Sequence, residues 1–110
     1  MAPIEVGARG REAPMTFRLH RAARREAAEV IDYYEAQQPG LGSDFARELD
    51  RGIWQVLDHP NAWQLVERGL RRYRLHRFPY GLVYRVSGQE ILIVAVMHLS
   101  RDPGYWTDRI

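Results

Sequence analysis

Between Arg68 and Arg85 the chain reads RGLRRYRLHRFPYGLVYR, with six arginines, one histidine, four aromatic residues and no acid. Arginine is a planar, permanently charged fork suited to phosphates and carboxylates, and aromatic neighbours can stack nucleic-acid bases. Cutting a phosphodiester without a metal needs a base, a charge stabiliser and an acid. Arg72, Arg74, Arg77 and Arg85 suit the charge role, and His76 is the best titrating candidate. Tyr80, Tyr84 or Tyr105 could stack a base. Charge for solubility and edge protection would account for several of these arginines. Six of them without one acid exceed that need.

The rest of the chain narrows the chemistry. All sixteen basic residues are arginine, so no lysine is present as a base or Schiff-base nucleophile. There is no cysteine, hence no disulfide, thiolate metal site or cysteine nucleophile. No P-loop, dinucleotide fingerprint or serine nucleophile motif occurs, and no cofactor is expected. His98 and Asp102 are four apart, but Pro103 argues against the helix that would make them metal ligands, so no metal is expected. His98 reads as a partly buried residue pinning the tail, and Arg101-Asp102-Pro103 as an internal ion pair and turn.

Net charge is only +2, yet it is unevenly spread. Residues 26–58 carry net −6 and residues 68–85 carry net +6. A uniformly basic nucleic-acid binder would not divide in this way.

Hydrophobic periodicity supplies the elements that position these groups. Residues 1–14, rich in Ala, Gly and Pro, read as a disordered extension, and Met15 is an alternative start. Residues 15–110 form one domain. Thr16 to His20 reads as a short strand. Arg21 to Gln37 reads as a helix with Ala23, Ala27, Val30, Ile31 and Tyr34 inward. Gln38-Pro39-Gly40 breaks it, and a second helix runs from Ser43, as N-cap, to Asp58 with Phe45, Leu49, Ile53, Val56 and Leu57 inward. After a loop at 59–69, strands follow at about 70–77, 80–87 and 90–98. The fold class is α+β, in the order β-α-α-β-β-β, with a helical hairpin on one face of a mostly antiparallel sheet.

The last strand, ILIVAVMH, is apolar on both faces, and the helices can cover only one. Either Tyr105-Trp106 or a partner must cover the other row, which alternation assigns to Leu92, Val94, Val96 and His98. A partner in such a strip would meet Val94, Val96, His98 and Trp106, bordered by Arg72, Arg74, Tyr84, Arg85 and Arg101. No apolar run is long enough to span a bilayer and no secretory segment is visible, so a cytoplasmic protein without a membrane partner is expected.

Three segments together resemble the RelE/ParE superfamily of toxins from bacterial type II toxin–antitoxin systems. They are Ala46-Arg47-Glu48-Leu49 in the second helix, RRYRLHRFPYGLVYRV at 71–86, and ILIVAVMHLSRDPGYW at 91–106. The resemblance spans residues 15–106 and is closer to the ParE-like, plasmid-stabilisation branch. It implies a small cytoplasmic toxin neutralised by a cognate antitoxin protein. It also implies one of two targets: DNA gyrase for ParE-like members, or mRNA on the ribosome for RelE-like members. In the second case the protein would be a metal-free, ribosome-dependent endoribonuclease, with Arg72, Arg74, His76, Arg77, Arg85 and Tyr105 as candidate catalytic residues. The lysines that often serve such nucleases are absent. An inert homologue that only binds antitoxin is the third possibility.

Overall fold

The computed structural model describes residues 15–110, and the extension expected over residues 1–14 lies outside them. Helix α1 spans Arg21–Gln37, the bounds its period predicts. Its N-terminus is capped by His20, whose Nδ1 accepts from the Ala22 amide at 3.0 Å. Helix α2 spans Leu41–Asp58 and starts two residues earlier than expected. Ser43 is therefore not the cap. Glu35, near the end of α1, accepts from the amides of Gly40 and Gly42 and serves the first turn of α2 instead. The hairpin is also tight at this point: a Cβ on Gly42 would lie 2.6 Å from the Ile31 carbonyl oxygen. Only glycine lets the two helix backbones approach so closely.

Five strands form one sheet: β1 (Thr16–Leu19), β2 (Gln64–Leu65), β3 (Arg71–Arg74), β4 (Tyr80–Ser87) and β5 (Glu90–His98). Their order is β1-β5-β4-β3-β2, with β1 parallel to β5 and every other pair antiparallel. The two-residue β2 sits within the segment expected to be loop. Strand β3 ends at Arg74, three residues short of expectation. Beyond it, the amides of His76 and Arg77 donate to Glu48 of α2, at 2.5 and 2.7 Å, rather than to β4.

A bulge in β5 changes which residues share a face. Val83 pairs with Ala95 and Tyr84 with Ile93, so Val94 is the extra residue. Ile91, Ile93 and Val96 consequently point into the core under the helices. Leu92, Val94, Ala95 and Met97 belong to a second core on the far face. The single row expected from Leu92 to His98 is thus broken at Val94, and Val96 and His98 face the helices. Strict period-two counting fails wherever one residue is inserted.

The helix-side core gathers Ala23, Phe45, Ile53, Val56, Leu82 and Tyr84, among others. An aromatic group of Tyr34, Phe45, Phe78 and Tyr80 closes one end, with ring centroids 4.9 to 6.3 Å apart. On the far face Leu70, Val83, Leu92, Val94, Ala95 and Met97 are covered by Trp106, which is 1% exposed. The chain's own tail therefore covers much of the apolar strip.

Candidate functional site

The register places four arginines on the far face. Arg72 lies opposite Val83, Arg74 opposite Gly81, Arg85 opposite Leu92, and Arg18 of β1 opposite Leu92 on its other side. Arg18 is paired with Glu90 at 3.1 Å. Arg72, Arg74 and Arg85 have no carboxylate partner among the described residues. Arg72 reaches only Gln64, at 3.3 Å, and the Nε atoms of Arg72 and Arg85 are buried without a hydrogen-bond partner. Gly81 makes room for the first of these: a Cβ there would lie 3.2 Å from Cγ of Arg72. Three guanidinium groups thus frame an apolar, tail-covered strip. A surface of this kind favours carboxylates or phosphates.

The other candidates disperse. His76 stands in the bend after β3, its ring 6.4 Å from that of Tyr73, on the helix side rather than beside Arg72 and Arg74. Arg77 is exposed, 3.5 Å from Asp44 and over the Phe78 ring. Tyr84 is fully buried in the helix-side core and donates to the Pro60 carbonyl at 2.7 Å. Its burial pushes the phenol up to about 12, against a smaller opposing pull from Arg71. Val94, Val96 and Trp106 are buried within the chain. Arg101 forms no ion pair with Asp102; its guanidinium lies 3.6 Å from the Tyr105 ring centroid. His98 is half-buried, packs 5.0 Å from the Tyr80 ring, and accepts from the Ser100 amide at 3.1 Å, so it does order the start of the tail.

Sequence reasoning missed the group that holds the tail. Arg109 donates to both carboxylate oxygens of Glu26 on α1, at 3.0 and 2.9 Å, and to the Val94 carbonyl at 3.1 Å. Glu26 also accepts from the Val96 amide at 3.0 Å. Strand β1 pairs with β5 only as far as Ile93, so these are the backbone groups of the bulged strand just past the end of its neighbour. An ion pair completes the sheet where β1 stops. Tyr105 lies between Arg101 and Arg109, its hydroxyl buried and without a hydrogen-bond partner. Burial, reinforced by the Glu26 carboxylate, pushes that phenol up to about 12.

Among the described residues, Arg72, Arg74 and Arg85 therefore stand without a carboxylate partner. His76 faces the other way, and Tyr105 holds its proton beyond the neutral range. The three guanidinium groups of Arg72, Arg74 and Arg85 can bind and orient an anionic group. Among the described residues no three His, Asp or Glu side chains converge as metal ligands, and no helix is long and apolar enough to cross a membrane.

Comparison with known proteins bears on most of the chain. The model of a family described as "ParE toxin of type II toxin-antitoxin system, parDE" matches residues 17–103. A chain from a solved structure of the chromosomal ParDE TA system from P. aeruginosa superposes with a TM-score of 0.70 at 21% identity. The match covers 78% of this chain and 97% of that one, so the two share a fold. Among curated proteins nothing matches.

Proposed function

We propose, for a chain that belongs to the ParE toxin family of type II toxin–antitoxin systems, that it inhibits growth by binding DNA gyrase and is neutralised by a cognate antitoxin. The antitoxin supplies carboxylates to Arg72, Arg74 and Arg85. The observation that carries this reading is the set of three far-face arginines without a carboxylate partner among the described residues. Fixed charge of this kind supports recognition by contact. It gives little support to ribosome-dependent mRNA cleavage, because His76 stands in the exposed bend after β3, with its ring toward Tyr73 rather than in the arginine rows.

Induction of the chain alone in cells tests the proposal at the level of class. Growth should stop, co-expressed antitoxin should restore it, and primer extension should show no codon-phased mRNA cuts. Such cuts, lost in His76→Ala, would establish the endonuclease reading instead. Unaffected growth would mark the chain as an inert antitoxin-binding homologue.

A further inference from the structure

The far-face apolar strip is closed by a short segment held by Trp106 and Tyr105 on the strip and by Arg109 beyond it. Trp106 fills the strip over Val83, Leu92, Val94 and Met97. Three residues later, Arg109 clips to Glu26 on the helical layer. The connection turns at Gly104, which sits at φ +101° after Pro103, and a turn closed by the Thr107 amide on the Gly104 carbonyl leads into the three-residue 3-10 helix Thr107–Arg109. These anchors also lie past the end of the family match at residue 103.

The covered strip has the character of a docking site. It is apolar, and two half-buried guanidinium groups at its border, Arg72 and Arg85, have unpartnered Nε atoms. Within the tail itself the Trp106 indole N–H is likewise buried without a partner. Buried donors are normally satisfied, so the closed tail leaves the two border Nε atoms of the face unused and buries its own indole N–H at a cost. A longer ligand could take the apolar strip and supply acceptors to Arg72 and Arg85, which the tail does not do, while the released Trp106 N–H returns to water.

We propose that residues 104–110 form a displaceable strap that occupies the strip on which the antitoxin docks. The inference rests on the antitoxin reading above. The strap also defines the chemistry of its competitor. The antitoxin segment presents a large apolar or aromatic side chain in place of Trp106 and a basic side chain about one turn later for Glu26. Flanking carboxylates meet Arg72 and Arg85. Because the open form must be populated or induced before docking, the strap multiplies the intrinsic affinity by the fraction of molecules that are open.

The test uses the full chain in three forms. Trp106→Ala/Arg109→Ala releases the strap, with Arg109→Ala alone as the milder form should the double variant fail to fold. The chain contains no cysteine, so Glu26→Cys/Arg109→Cys joined by a short bismaleimide holds the strap closed. Titration with purified antitoxin should show affinity at least about fivefold higher for the released form and at least about tenfold lower for the closed form. Equal affinity in all three forms, or weaker binding on release, overturns the strap. A second probe is independent of the antitoxin: the free peptide GYWTDRI should bind the released chain and not the closed one. Absence of peptide binding to the released chain also overturns the proposal. If the peptide binds but the antitoxin binds no form, the antitoxin reading fails and the docking strip stands.

Discussion

Glu26 and Arg109 meet across 83 residues of sequence, at 2.9 and 3.0 Å, and together take up the Val94 carbonyl and the Val96 amide of the bulged central strand. The pair joins helix, sheet and tail. Both side chains are about 15% exposed, so the bond is shielded from most of the screening that weakens surface pairs. Glu26→Ala removes the acceptor from Arg109 and from Val96 together, and should cost about 2–4 kcal/mol. Urea unfolding should show a lower midpoint with an unchanged slope. Arg109→Ala should cost less, because the Val96 amide keeps its acceptor.

Glu48 performs the same service for the loop after β3. It is 7% exposed and accepts from two successive amides, those of His76 and Arg77. Glu48→Ala should destabilise the chain by about 1–3 kcal/mol and speed hydrogen exchange at those two amides more than elsewhere. Glu48→Gln, which keeps an acceptor oxygen, should restore part of both.

Much of this was legible in the sequence, and the failures share a cause. The period of α1 gave its ends, the double apolarity of β5 gave its place inside the sheet, and the need to cover its second face left Tyr105-Trp106 or a partner, of which the tail does so. The bulge at Val94 was not legible, because an inserted residue leaves an apolar run looking uniform. Parity was lost there, and Val96 and His98 were assigned to the wrong face. Glu26 and Glu48 did leave a signal. Each is an acid within the inward stripe of its helix, Glu26 between Ala23 and Val30, and Glu48 between Phe45 and Leu49. An acid in such a place needs donors: Glu26 finds the Val96 amide and the Arg109 guanidinium, and Glu48 the amides of His76 and Arg77. Ser43 failed as a cap because Glu35, from the preceding helix, had already taken the amides of Gly40 and Gly42.

Two phenols should govern stability in alkali. Burial, the main cause, pushes Tyr84 and Tyr105 from 10 up to about 12 in the folded chain. A pKa raised on folding means that the neutral form is favoured there, so its contribution is whole below about pH 10 and is lost as pH rises through about 12. Unfolding free energy measured against pH should therefore decline over that window. Tyr84→Phe, which also gives up the bond to Pro60, should flatten the decline.

The arginine rows should be read out in the salt dependence of antitoxin binding. Arg72→Ala/Arg74→Ala/Arg85→Ala removes three charges that have no internal carboxylate, so the fold should tolerate it better than an internal pair would. Affinity should drop by about 10- to 100-fold, and the residual binding should respond less to added salt. Calorimetric titration at two ionic strengths gives both numbers.

Supercoiling of relaxed plasmid by purified gyrase is the most direct measurement of how the toxin acts. Addition of the purified chain should stop supercoiling and trap cleaved DNA on the enzyme, and prior mixing with antitoxin should prevent both effects. Undiminished supercoiling with no trapped cleavage complex, at chain concentrations well above those of gyrase, would contradict the account.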